Sequence, residues 1–412
     1  MNMNNDNIFL VDKELLKSML KLPNVVTYGI GKKITDGVVT DEMSYIFGVT
    51  EKVDNLKDKD KIPKYINGHK TDVVIHEPAH TLTNCNTVSP CSGSPSSNNN
   101  CVELPHRLNH YGTVGNNTGK PILKGGISAI RQAATACTFS LVARDLTDNR
   151  LVGLCCTHCF KCTSIQPGGG QAYYNGNNYA QPSPNDVFGN LSIGISSTEE
   201  IVGTHKRTVP VNSQGDNNLL DAAIFDIPYP DIVPTTNIYE LSVNSLRWAT
   251  ETEVQTAIIN NWKILKSGRT LGTFDDTYNF TIHAITNDVG VSGCYSYPPF
   301  DTLPKTNSPK FDEVLWINQS GAQKFGTGGD SSSPVLIKNP GTGELLIAGI
   351  LFAGSCNNIF VIPIYNIATG LNIGRWDGTC VVDTNGEPTI TINGITHYRG
   401  NITNDPITHI KD

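Results

Sequence analysis

From about residue 120 to residue 374 the chain is a series of short apolar runs separated by turn-forming residues. They read TFSLVARDL, LVGLCCTH, NLSIGIS, AAIFDI, YNFTIHAI, EVLWIN, SPVLI, ELLIAGILFAG and IFVIPI. Short runs rich in β-branched and aromatic residues, punctuated this regularly, specify strands of a barrel or sandwich. Helical periodicity is scarce in this stretch. The best helix candidates are ETEVQTAIINNW (251–262) and IPIYNIATGL (362–371).

The flanks read differently. IFLVDKELLKSMLK (8–21) carries apolar residues at helical spacing, with Asp12 placed to cap it. NVVTYGIGKKI and SYIFGVTEKV follow as strands, and KYINGHKTDVVIHEP supplies an Asn-Gly turn and a further strand. Residues 1–78 are therefore expected to form a small α+β domain. Residues 79–119 are dominated by Ser, Asn, Pro and Gly and lose the apolar pattern, as a linker or insert does. Residues 375–412 form a C-terminal extension.

A chain of 412 residues is long enough for two or three domains, each with its own core. Its 31 basic and 38 acidic residues include no Lys/Arg-rich block, which argues against nucleic acid as a partner. No apolar run is long enough for a membrane helix, and the N-terminus lacks the apolar core of a secretory signal. A cytoplasmic location is the expectation. With no such signal, the 11 cysteines are expected as free thiols or metal ligands rather than as a disulfide framework.

Three stretches carry chemistry. In FGTGGDSSSPVLIKN, small residues precede Ser331 and allow backbone N–H groups to converge beside a serine hydroxyl. In LVGLCCTHCF, an apolar strand ends at His158. In LLDAAIFDI, Asp221 stands at the lip of a buried run, where a carboxylate needs a partner. Each has a bland reading when taken singly: a turn, a structural histidine, a turn cap. Together they give the chain order His, Asp, Ser with gaps of 63 and 110 residues. That spacing suits a His and an Asp from one barrel and a Ser from a second.

On these residues, 120–374 resembles a trypsin-like serine peptidase of the chymotrypsin fold. GGDSSSPV is similar to the nucleophile loop of that clan, THC to its histidine segment and LLDAAIFDI to its aspartate strand. More narrowly it resembles the intracellular branch that includes the plant narrow-leaf protein and bacterial relatives, through ILKGGISAI, SIQPGGGQAYYN, LKSGRTLGTF and GILFAGSCNNIFVIPI. The resemblance implies a mainly β fold of two six-stranded-type β-barrels, over about 120–235 and 236–374, behind the small N-terminal domain. It implies Ser331 as nucleophile, His158 as base, Asp221 as orienting acid, and an oxyanion hole from Gly329 and Ser331. It also implies a substrate strand at Phe352, Ala353 and Gly354, a protein or peptide substrate, no cofactor, and a homo-oligomer. Asp330 is expected to be held by local hydrogen bonds rather than by a freed N-terminal amine.

Two departures qualify the implied function. Ser332 stands where the family places Gly, and a positive φ there would cost a serine ~1–2 kcal/mol. A distorted loop would leave an inactive protease-fold scaffold or assembly subunit. The run Cys156-x-x-Cys159-x-x-Cys162 also has the spacing of a metal-ligand set, so a structural zinc is an alternative to buried thiols. A disulfide from this run to Cys137, as beside the histidine of secreted relatives, is another. The Gly-rich runs lack the Gly-Lys-Ser/Thr ending of a phosphate loop.

Overall fold

The computed structural model describes residues 5–81, 122–131, 137–161, 178–180, 201–209, 211, 218–228, 233–241, 247–292, 308–319, 323–376, 379–382, 388–392 and 395–397. The 79–119 insert from residue 82 onward, with Cys85, Cys91 and Cys101, lies outside them. So do Cys162, NLSIGIS and the SIQPGGGQAYYN stretch.

The described structure is mainly β. Two large sheets stand where two barrels were expected. The larger has a strand path running Gly272–Phe274, Ile264–Gly268, Pro334–Lys338, Leu345–Gly354, Asn358–Pro363, Val314–Asn318, Ala284–Asn287, Val25–Thr35, Val38–Val49, His69–Ile75, Tyr65–Ile66. The smaller runs Ile373–Arg375, Leu141–Asp145, Leu151–Cys155, Ala223–Asp226, Ile201–Thr208, Asn178–Ala180, Ser128–Arg131, Cys137–Thr138.

Sheet membership does not follow chain order. Val25–Thr35 pairs antiparallel with Ala284–Asn287, with Tyr28 opposite Asn287 and Gly31 opposite Ala284. The N-terminal strands thus extend the sheet of the second half. Ile373–Arg375, from the far end, pairs with Leu141–Asp145 in the sheet of the first half.

Local choices match the sequence pattern. Leu345–Gly354 and Asn358–Pro363 are continuous apolar runs, and both are buried on both faces. The helix Lys13–Ser18 starts at Asp12, whose carboxylate accepts from Glu14 N–H. Thr250 and Glu253 close a capping box on the helix Glu251–Ile259, and the helix Ile364–Leu371 stands near its expected bounds. Asn67 and Gly68 take φ of 49° and 83°, as the turn between Tyr65–Ile66 and His69–Ile75 requires. Gly153 lies under Phe225: a Cβ there would come within 2.0 Å of the ring, so the strand that leads to His158 needs glycine at this point.

Two histidines are buried where the N-terminal strands meet the second-half sheet. His283 packs edge-on against Trp316, and His76 lies 5.7 Å from the Phe360 ring. Burial pulls both imidazoles down to about 4. The unfolded chain therefore binds more protons than the folded one between pH 6.5 and 4. Stability is present above that window and is lost as pH falls through it, by up to roughly 3 kcal/mol per histidine. Urea midpoints measured between pH 7 and 4.5 should fall accordingly. His283→Phe, which keeps the ring contact, should flatten the dependence.

Candidate active site

The smaller sheet supplies two of the predicted residues. Leu151–Cys155 pairs with Ala223–Asp226, Cys155 opposite Ala223, so the ends of the two strands bring His158 and Asp221 together. Thr157 Oγ1 donates to Ala222 O at 2.8 Å, and His158 N–H donates to Asp221 Oδ1 at 3.1 Å. These bonds fix the turn that carries the histidine before its ring is considered. His158 Nδ1 then lies 2.5 Å from Asp221 Oδ2, and Nε2 lies 2.8 Å from Ser331 Oγ. With Asp221 ionised, the network assigns the proton to Nδ1 and leaves Nε2 to accept from the serine hydroxyl. All three side chains are fully buried.

The serine loop hangs from the larger sheet. Ser332 N–H donates to Leu351 O (2.7 Å) and Leu351 N–H to Ser333 O (3.0 Å), extending the pairing of Pro334–Lys338 with Leu345–Gly354. Thr138 of the other sheet reaches across, donating its N–H to Ser331 O (2.8 Å) and its hydroxyl to Gly329 O (3.1 Å). Gly329 takes φ +91°. Among the described residues, neither Gly329 N–H nor Ser331 N–H donates to a backbone acceptor.

Asp330 points away from the histidine into the larger sheet. Its Oδ1 accepts from Thr270 N–H (2.8 Å) and Leu271 N–H (3.3 Å), and its Oδ2 from Thr327 N–H (3.3 Å). The local hydrogen bonds expected for it are present, but its charge has a partner that the sequence reading did not name. Lys266 Nζ forms an ion pair with Asp330 Oδ2 at 2.8 Å, and both side chains are fully buried. The ammonium also lies 5.4 Å from the Phe274 ring centroid and 5.8 Å from that of Phe325. Burial pulls the Lys266 pKa down, and Asp330 opposes that shift. Lys266 had left a signal, as the single charged residue within the buried strand ILKSG.

The cysteines depart from expectation in part. Cys137 and Cys159 form a disulfide, which corrects the reading of these two as free thiols and removes Cys159 from any zinc set. A link closing about twenty residues stabilises by roughly 3 kcal/mol in the chain-entropy account, and this one ties the residue after His158 to the strand that carries Thr138. Cys155 and Cys156 are buried thiols outside that disulfide. Burial pushes the Cys156 thiol well up.

Ser332 does take a positive φ, +70°. Its hydroxyl accepts from Cys156 N–H at 2.6 Å and lies 3.5 Å from Cys159 Sγ. The strain thus comes with a hydrogen bond that glycine would not make, and that bond joins the serine loop to the histidine strand. Phe352 packs on Phe311, with ring centroids 5.0 Å apart, and Ala353 and Gly354 are buried at the end of their strand.

No family model matches the chain, and no curated protein matches it. Among solved structures it is similar to a glutamic acid specific serine protease, at 14% identity and a TM-score of 0.34, over 62% of this chain and 100% of that one. It is also similar to Nocardiopsis protease, at 15% identity and a TM-score of 0.34, over 62% of this chain and 98% of that one. Cellulomonas bogoriensis chymotrypsin gives 14% identity and a TM-score of 0.35, over 62% of this chain and 99% of that one. No helix among the described residues is long and apolar enough to cross a membrane.

The two loop anchors give separate expectations. Lys266→Met leaves the Asp330 carboxylate buried without its counter-charge and should cost ~3–5 kcal/mol in chemical denaturation. Lys70→Met, which breaks an exposed pair with Glu42, should leave the denaturation midpoint close to that of the parent. Ser332→Gly trades strain relief against the lost hydrogen bond and should stay within about 1 kcal/mol of the parent. Ser332→Ala keeps the strain, orphans Cys156 N–H, and should lose ~1–3 kcal/mol in the same assay.

Proposed function

We propose that this chain is a serine endopeptidase acting through an acyl-enzyme on Ser331. The observation that carries the reading is the His158 ring, whose two nitrogens meet Asp221 Oδ2 at 2.5 Å and Ser331 Oγ at 2.8 Å. Nε2 takes the hydroxyl proton as Oγ attacks the scissile carbonyl carbon. Nδ1–H stays bonded to Asp221, which stabilises the imidazolium as it forms. The oxyanion collects on the N–H groups of Gly329 and Ser331, each such donor being worth ~3 kcal/mol in the transition state. His158 then returns its proton to the leaving amine. Water, deprotonated by the same nitrogen, releases the acyl group. The peptide substrate lies along Phe352, Ala353 and Gly354 by β-augmentation. The finer resemblance, to the intracellular narrow-leaf branch, belongs to this reading and rests on the sequence motifs.

A second reading is a protease-fold scaffold. It is favoured by the complete burial of His158, Asp221 and Ser331 and by the positive φ at Ser332.

Labelling with an alkyl fluorophosphonate, followed by mass mapping, separates the two. The peptidase reading expects adduct on Ser331, absent from Ser331→Ala and reduced at least ~10³-fold in rate in His158→Ala. A folded protein whose Ser331 takes no label would leave the scaffold.

A further inference from the structure

The strand Leu345–Gly354 has two edges near its C-terminal end. One is taken by Asn358–Pro363, with Ala353 opposite Phe360 and Gly354 opposite Ile359. The other carries the serine loop, through Ser332 N–H to Leu351 O and Leu351 N–H to Ser333 O. On that second edge, two residues beyond Leu351, the chain's own segment Ala79–Thr81 pairs antiparallel with the strand. Thr81 stands opposite Ala353, and His80 opposite Gly354. The segment runs from Gly354 back toward Leu351, so at Thr81 the backbone is heading for the serine loop. This is the edge and the direction that a peptide laid on Ala353 and Gly354 would take.

The segment is held on its far side as well. Ala79 and His80 pair with Val291 and Ser292 of Val289–Ser292. Ser292 Oγ donates to Ala79 O at 3.3 Å and is hydrogen-bonded to His80 Nδ1. Upstream, Asn357 donates its N–H and its amide to the Glu77 carboxylate, at 3.3 Å and 2.5 Å, and His76 N–H donates to Val49 O at 2.8 Å. Ala79 and Thr81 are 1% and 0% exposed, so the strand is part of the packed structure.

We propose that Ala79–Thr81 is a built-in substrate mimic: it occupies the peptide-binding edge and keeps the site latent until it is displaced. The inference rests on the peptidase reading and adds its regulation. A peptide gains the ladder hydrogen bonds of Ala353 and Gly354 only by displacing an equivalent set, so apparent affinity falls by the fraction of molecules in which the edge is open. Glu77 and Ser292 are the polar side chains that bias this equilibrium toward the closed state.

The test compares the full chain with its Glu77→Ala/Ser292→Ala variant, using two probes of Ser331. One is a small alkyl fluorophosphonate. The other is a mixture of tetrapeptide diphenylphosphonates, which must lie along the strand edge to react. The expected result is tetrapeptide labelling at least ~10-fold faster in the variant, with a smaller change for the fluorophosphonate. In the tetrapeptide-labelled protein, the amide hydrogens of 76–81 should lose their protection against exchange. If peptide labelling is equal in both proteins, the exchange readout decides: lost protection shows displacement, whereas retained protection in the labelled protein overturns the inference and leaves the peptidase reading intact. Absence of fluorophosphonate adduct from both folded proteins overturns the peptidase reading and this inference with it.

Discussion

The buried ion pair between Lys266 and Asp330 is the contact on which the serine loop depends. A carboxylate one residue before Ser331, without exposure, is tolerable only with a counter-charge and hydrogen bonds. Lys266 supplies the charge, and the backbone N–H groups of Thr270, Leu271 and Thr327 supply the bonds. Because Asp330 is held from the larger sheet, Ser331 is turned toward the smaller one, where His158 waits. The pair needs no freed chain terminus, so the loop takes its shape when the strand Ile264–Gly268 folds.

Two sheets contribute to one site, and the bonds across their seam are few and specific. Thr138 reaches from the smaller sheet to both carbonyls of the loop, and Ser332 reaches back to Cys156 N–H. The disulfide between Cys137 and Cys159 binds together the two segments of the smaller sheet that make those contacts. The strain at Ser332 is in this sense local: it is set against a hydrogen bond that holds loop and histidine strand in register.

Much of this was legible before the structure. The strands beside His158, Asp221 and Ser331 are short, largely apolar runs that have few alternatives to burial as strands. The Asp12 cap and the Asn67-Gly68 turn follow from local chemistry that tertiary context seldom overrides. What could not be read was non-local. Lys266 stood out as a charge in an apolar strand, but nothing in the sequence tied it to a residue 64 positions away. The Cys137–Cys159 bond was one of the readings open for these cysteines, and spacing could not select it, because spacing gave Cys156, Cys159 and Cys162 the look of one set whereas the partner lies on another strand. The pairing of Ala79–Thr81 was illegible for a similar reason: three residues at the head of a polar stretch carry no periodicity, and their conformation is imposed by the two strands that flank them.

The strand Ile373–Arg375 has a consequence for how the chain is made. It pairs with Leu141–Asp145, next but one to the strand carrying Asp226, while Val25–Thr35 at the other end pairs with Ala284–Asn287. The smaller sheet's edge beside Leu141–Asp145 is filled only from residues more than two hundred positions further along the chain. At ordinary elongation rates the 230 residues from Asp145 to Arg375 take roughly 12–46 s to make, long against the collapse of a chain. During that interval Leu141–Asp145 presents an open hydrogen-bonding edge, the kind that invites mispairing between nascent chains. The yield of folded protein therefore depends on what shields that edge until Ile373–Arg375 arrives.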